Sequence, residues 1–566
     1  MGIPHLTKHL LPYGKTAVLS GNQNQELSHV SSVVIDGPSL VYYVYDRLLA
    51  WTNLEIDVLD IQPSCDEVSR GFVSYLLELA YLGVEIHQIC FDGALPLSKR
   101  QTRLARVEKS RRRLESFRRR NPFSVRKYCK ETVIWPTQIW KDQNLPSRRR
   151  IVPENPFMVS AVFEDLKFRW DRKTVQKEVP GTTVLFEKDY PWADITIMAP
   201  GEADVDCAQV ARLKRSTVLT NDSDLLIHNL GPEGTVILLN SLQFIENTAD
   251  ISKSEIRGLI LHPAELPSKL GIVNLQRFAY ELTMNHFLGV SELIHRCKED
   301  PDVKDEPAEY AEFLQEYLVS DDLPTTSPGF SSLSLDPRIS ELFWQFELPS
   351  VYCQTDDQPH VYLGIQYEDP TRRCAWEQGR SHRALGYSLF NLSRRVRSQF
   401  AAIKEFVRRG ERIVAEQVTL SSSRKAYSDL DSLQKDINHA EMVFGSKQKP
   451  SFWILFALSE IYRESSNATT IPNALLLEHF LRYGHMGKKT EWADIQLMAQ
   501  IQAVLYSLRI LRQLLDVTDL DISQHYRLIL KDLPPLHFLM TSRHMMSQYF
   551  LDINSTRSAV HALAKE

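Results

Sequence analysis

Four short runs of β-type residues, each followed closely by carboxylates, constrain this chain more than anything else in it. Ser32-Val33-Val34-Ile35 leads into Asp36, and His87-Gln88-Ile89-Cys90-Phe91 leads into Asp92. Ile195-Thr196-Ile197-Met198-Ala199 is followed, after a Pro200-Gly201 turn, by Glu202 and Asp204, and Thr217-Val218-Leu219-Thr220 by Asp222 and Asp224. Each run reads as a buried strand, and the helical patterns between them predict parallel pairing in an α/β fold. An open parallel sheet binds its ligands beyond the carboxyl ends of its strands. Six acids gathered there repel one another, and a divalent cation relieves that repulsion. Hard carboxylate oxygens suit Mg²⁺ or Mn²⁺. A plainer role is open to each acid taken singly. Asp at a strand end caps the next helix or turn. Glu202 and Asp204 also fall in a first helical turn, where the helix dipole favours negative charge. Six such residues on four strand ends favour one shared site.

A chain of 566 residues, 43% of them hydrophobic, predicts two or three globular domains. It has no apolar run of the roughly 18 residues that a membrane helix needs. Met1-Gly2-Ile3-Pro4-His5-Leu6 lacks the basic and apolar regions of a secretory signal, and Leu6 stands where a myristoylation motif needs Ser or Thr. Seven cysteines without a C-x-x-C pair predict reduced thiols in an intracellular protein, with no zinc finger.

The net charge of −5 conceals a division. Residues 99–150 hold 18 Lys and Arg against four acids, a balance of +14, so everything else sums to −19. A basic segment on an acidic protein predicts a docking surface for a polyanion, with nucleic acid first. Within it, residues 99–120 lack Gly and Pro and predict a helix, with Lys99, Arg103 and Arg106 on one face and Arg111, Arg112 and Arg113 further along. A solvated helix or a nuclear localisation signal is the plainer reading. Residues 299–322 carry ten acids against Lys304 alone, the pattern of a linker or exposed loop. Val361-Tyr362-Leu363-Gly364-Ile365 resembles a strand. From about residue 395 onward the pattern is helical. The apolar stripe of 494–516 reads as core before it reads as a partner groove.

In order along the chain, Met-Gly-Ile…Leu, V-V-I-D ending at Asp36, F-D-G at 91–93, A-P-G-E-A-D at 199–204 and T-N-D-S-D at 220–224 resemble the motifs of the flap-endonuclease (XPG-type) superfamily, most like its asteroid branch. The resemblance covers roughly residues 1–290. It implies a PIN-like parallel-sheet nuclease domain that cuts DNA near junctions with two metal ions, and the expectation is a nuclear protein of repair or replication that acts on single-stranded or junction-containing DNA. By the same resemblance Asp36, Asp92, Glu202 and Asp204 are first-metal acids, and Asp222 and Asp224 belong to the second. Lys99 and Arg106 are the catalytic cations of an arch helix; the basic run itself adds Arg103, Arg111, Arg112 and Arg113 as expected nucleic-acid contacts. Tyr42 stacks on a base, and Gly2 packs near the site. The expected organisation is 1–98 and 183–298 as two parts of one nuclease domain, 99–182 as basic arch and insertion, 299–334 as acidic linker, and 335–566 as a mostly helical region open to protein partners.

The resemblance breaks in two places. The family's last second-metal acid has no Asp counterpart in Phe278–Leu288, where Asn285 or His286 stands near the position and Glu281 a turn earlier. The glycine-punctuated helix–hairpin that grips duplex phosphates is reduced to Leu288-Gly289-Val290-Ser291. Three functions follow in order: a metal-dependent DNA endonuclease with a weakened second site, a pseudo-nuclease scaffold for nucleic acid or protein, and an RNA-directed protein.

Overall fold

The computed structural model describes residues 2–21, 28–52, 56–124, 139, 143–179, 189–245, 255–298, 308–317, 335–352, 358–393, 399–464, 473–518 and 526–563. Most of the acidic linker, and Cys129 and Cys353, lie outside the described residues; within the linker, Ala308–Tyr317 is a helix.

The main sheet has nine strands: β1 (Lys15–Leu19), β2 (Ser28–Val30), β3 (Ser32–Asp36), β4 (Glu85–Phe91), β5 (Thr196–Met198), β6 (Thr217–Thr220), β7 (Thr235–Leu238), β8 (Gln243–Ile245) and β9 (Glu255–Leu261). The order is β2-β1-β9-β7-β6-β3-β4-β5, with β8 on β9. The five strands from β7 to β5 are all parallel, while β9 runs antiparallel to β7, β1 and β8. The α/β class and the PIN-like parallel sheet are as expected. The two strands expected in residues 1–95 are four, because β1 and β2 are short strands near one edge of the sheet whose residues are partly exposed.

Side-chain alternation explains why the strands are buried on both faces. Val33, Ile35, Ile89, Phe91 and Leu219 point to one side, against the helices Gly37–Trp51, Cys65–Tyr81 and Met158–Phe168. Val34, Cys90, Val218 and Val236 point to the other, against Leu6–Leu10, Ala203–Lys214 and Leu275–Met284. Phe163 meets Phe91 edge-on at 5.3 Å, so Met158–Phe168 belongs to the core of the main sheet although it lies in the expected insertion.

The second half is mostly helical, as expected, with the 26-residue helix Trp492–Val517 at its centre and its apolar stripe buried. One correction falls here. Residues beyond 395 open with a hairpin, not a helix: β11 (Ala402–Arg409) and β12 (Arg412–Thr419) pair antiparallel about Gly410, and β10 (His360–Tyr362) adds in parallel. Charges masked the strand pattern. Glu405 and Arg408 are buried and satisfied, by Arg383 at 2.7 Å and by Glu368 at 2.8 Å. The core of this half also takes in Cys65, Ala94, Phe157 and Ala161 from the first, so the two halves share packing. No helix among the described residues is long and apolar enough to cross a membrane.

Candidate active site

The strands β6, β3, β4 and β5 are neighbours and run parallel, so the four acid-bearing ends share one edge of the sheet. The chain leaves β3 towards β4 and leaves β6 towards β7, in opposite directions. The crevice between Asp36 and Asp222 is therefore a topological switch point.

Capping and clustering prove to be one arrangement. Asp36 caps the helix Gly37–Trp51 by accepting Ser39 N–H at 3.2 Å, and its other oxygen accepts the Thr220 hydroxyl at 2.6 Å. Asp92 accepts Ala203 N–H, at the start of the helix that carries Asp204, at 2.8 Å. Asp224 accepts Ile3 N–H at 3.0 Å. These bonds aim the acids inward. Carboxylate oxygens of Asp204, Asp222 and Asp224 lie within 4.8 Å of one another. Burial, and then the charges of Asp222, Asp36, Asp92 and Asp224, hold Asp204 well above the usual carboxylate range. Burial pushes Asp36 up to about 7, against the Thr220 hydrogen bond and with help from Asp92 and Asp222. Burial and the Asp222 charge push Asp224 up to about 7, with Lys99 opposing. Asp92 is raised by burial, although the Ala203 N–H pulls the other way. Five of the six acids thus share one electrostatic neighbourhood, and Glu202 borders it.

Glu202 faces Lys99, whose Nζ lies 2.8 Å from both carboxylate oxygens. Burial lowers the Lys99 pKa, but Glu202, with Asp224 and Asp204 behind it, outweighs burial and raises it. Gly2, at φ +72°, seats against the second pair of acids: an added Cβ would collide with Asp222 Oδ1, Ser223 Oγ and Asp224 Oδ1. A cradle that excludes even a methyl group, lined by desolvated hard oxygens with surplus negative charge, fits a divalent cation.

The basic helix is Arg100–Arg120, and its arginines divide. Arg106 is exposed, and its charge reaches Asp92 and Tyr42. Arg112 is exposed beside Glu108. Arg103 lies 5.3 Å over the Tyr362 ring and 3.9 Å from Glu341, and Arg113 pairs with Glu154. Arg111 does not face a polyanion. Glu108 and Glu115, three residues before and four after, lie on its own face of the helix and hold its guanidinium buried. Tyr42 is half-buried in the wall of a cleft of about 910 Å³ that Arg47, Arg113, Arg150 and Arg257 also line. Burial raises its hydroxyl to about 12.

His286 is not among the residues that group with the three aspartates. The helix Leu275–Met284 ends before Asn285 and His286, Asn285 accepts Phe287 N–H at 3.1 Å, and His286 stacks on His5. Glu281 is ion-paired with Arg277 at 2.9 Å and Arg296 at 3.5 Å.

Sequence reasoning missed the roof of the site. The helix Pro337–Glu347 brings buried Glu341 beside Arg103 and into electrostatic contact with Asp92. The Tyr352 hydroxyl donates to Pro200 O at 3.1 Å. A lone acid in the run Ile339–Phe346 was the one available signal for Glu341. Ser39, three residues after Asp36, was legible as part of a capping pattern.

Residues 154–420 match a family model described as XPG domain containing. That stretch is similar to an XPG-type domain. Over 108 residues it is 32% identical to Asteroid homolog 1 of Schizosaccharomyces pombe, a match that covers 19% of this chain and 18% of that protein. Both findings bear out the resemblance to the XPG-type superfamily and its asteroid branch. The XPG-type match contains Glu202, Asp204, Asp222 and Asp224, and it continues through the roof helix to the β11–β12 hairpin. Asp36, Asp92 and Lys99 precede it and join it through the contacts above.

Proposed function

We propose that this protein is a metal-dependent, structure-selective DNA endonuclease acting on single-stranded or junction-containing DNA in the nucleus, in repair or replication. The observation that carries the reading is the crowding of Asp204, Asp222 and Asp224 beside buried Asp36 and half-buried Asp92 at a parallel-sheet switch point. Like charges held this close out of water are stable only when neutralised. Asp36, Asp92, Glu202 and Asp204 would hold one ion, and Asp222 and Asp224 the other, which is the weaker for want of a further acid. Bound Mg²⁺ or Mn²⁺ supplies Lewis acidity towards water and phosphate oxygens. Lys99, now paired with Glu202, is placed to meet a phosphate that approaches the acids. Arg106, on the same helix face, adds a second cation. Both offset charge developing on the phosphoryl oxygens. Tyr42 offers a ring beside them for a base, and Gly2 leaves the acids room.

The test is hydrolysis of a panel of flaps, overhangs, hairpins and RNA by the full chain in Mg²⁺ and Mn²⁺, beside Asp222→Ala. Metal-dependent cutting of DNA that the variant loses supports the reading. Cutting of RNA alone moves the substrate to RNA. A second reading, a scaffold that binds nucleic acid or protein without turnover, is favoured by the double Lys99–Glu202 contact and by the roof over Asp92. DNA binding with no hydrolysis in either metal would establish it.

A further inference from the structure

Where the chain departs from its family's phosphate clamp, it turns aromatic rings towards solvent. Phe287 is 85% exposed, the most exposed large hydrophobic side chain among the described residues, and Met284 before it is 58% exposed. One such residue is ordinary, but Phe287 is not isolated. Its ring centroid lies 4.1 Å from that of His286, and His286 stacks at 6.3 Å and 26° on His5. Three rings therefore stand in a row, contributed by segments far apart in sequence.

The row is tied to the acid cluster. Ile3 gives its N–H to Asp224 Oδ1 at 3.0 Å, and Ser223 Oγ donates to Ile3 O at 3.3 Å. His5 follows two residues later, a reach of at most about 7 Å of backbone. His5 also holds φ 63° and ψ −5°, a left-handed conformation that residues with a Cβ adopt at an energetic cost. The backbone bears this cost where it turns the His5 ring out to meet His286. Asn285 fixes the other side of the row by accepting Phe287 N–H at 3.1 Å.

We propose that His5, His286 and Phe287 form a stacking platform for the bases of a single nucleic-acid strand as it passes the acid cluster. The proposal rests on the nuclease reading and specifies the substrate form. Every base offers a π-face, so such a platform holds a strand without reading its sequence. Paired bases inside a duplex keep their faces against one another, so unpaired bases are the occupant that fits. An apolar protein partner is the competing occupant, and the test separates the two.

The test measures binding of the full chain to a labelled single-stranded DNA oligonucleotide, and to one of the same length in which every base is replaced by an abasic site. Phe287→Ala should weaken binding of the normal oligonucleotide by about 5- to 150-fold, the range that base–aromatic stacking spans. It should leave the abasic oligonucleotide unaffected, and Phe287→Trp should retain the affinity. His286→Ala should act in the same direction. Equal losses on both oligonucleotides, no loss on either, or no binding by the unaltered protein would each overturn the proposal. The nuclease reading fails separately. Base-dependent binding through Phe287 without metal-dependent hydrolysis would leave the platform standing and remove the enzyme.

Discussion

Asp204 illustrates the tension between stability and function at single residues. In the metal-free protein burial, and then Asp222, Asp36, Asp92 and Asp224, hold its carboxyl well above the usual range. Asp204→Asn should therefore stabilise the metal-free protein, since it removes a carboxyl whose charged form burial and the neighbouring acids disfavour. The same change should abolish the stabilisation that added Mn²⁺ gives the unaltered protein. Thermal melts with and without the ion read both effects, and a destabilised metal-free variant would count against the charge argument. His228 makes the opposite case. Its side chain is buried, its Nδ1 has no hydrogen-bond partner, and burial, with Lys99 nearby, lowers its pKa to about 4. Its folded pKa is depressed, so the unfolded chain binds the extra proton between about pH 6.5 and 4. The stability it permits is present above that window and is lost as the pH falls through it, by up to about 3 kcal/mol. His228→Leu should flatten that part of the stability–pH curve. An unchanged curve would mean that another group titrates there.

At the scale of elements, the basic helix Arg100–Arg120 shows why charge count alone misleads. Leu114 and Phe117 are buried, Arg100 lies 5.4 Å over Phe406, and Arg118 lies 4.9 Å over Trp492 and 3.4 Å from Asp369. The cations left towards solvent are chiefly Arg106, Lys109, Arg112, Arg119 and Arg120. Replacing Arg106 and Lys109 by Ala should reduce the salt slope of single-strand binding by about 0.7 for each phosphate no longer neutralised. Arg111→Ala should leave the slope unchanged and instead destabilise the helix, because Glu108 and Glu115 lose the cation between them. Affinity measured from low to moderate salt, beside thermal melts, separates the two outcomes. The same contrast marks what the sequence could disclose. The strand runs were legible because β3, β6 and the last three residues of β4 are buried on both faces, so apolar runs end abruptly at their acids. The helix was legible from the absence of Gly and Pro. The fates of Arg103 and Arg118 were not, because they depend on Glu341, Tyr362, Asp369 and Trp492, which are distant in sequence. The β11–β12 hairpin was hidden for the same reason, since buried charges paired across the fold look like surface charges in one dimension.

At the scale of the whole molecule, the two halves behave as one body. Asp336, fully buried, accepts the Tyr506 hydroxyl at 2.6 Å and Arg509 at 3.0 Å, and Arg509 reaches Glu164 of the first half at 3.3 Å. Arg338 donates to Pro156 O at 2.8 Å, His537 to Asp165 at 2.6 Å, and Trp492 to Asn121 O at 2.8 Å, while Arg543 pairs with Asp60. Calorimetry of the full chain should show one cooperative transition. Asp336→Ala should lower stability by about 3–5 kcal/mol, the cost of leaving buried cations uncompensated, while keeping the transition single. Two resolved transitions would mean that the halves unfold independently.

The contact between Phe117 and Trp492, 6.1 Å edge-on, has a consequence in time. The ribosome finishes the basic helix long before it reaches Trp492, an interval on the order of tens of seconds to a minute at ordinary rates of synthesis. Through that interval Phe117 lacks a ring that later closes over it, and Arg118 lacks the same ring and, for the earlier part, its Asp369 partner. The nascent first half therefore emerges with an apolar side chain and a row of arginines exposed together. Such a surface favours capture by chaperones or by nearby RNA until the last helices arrive.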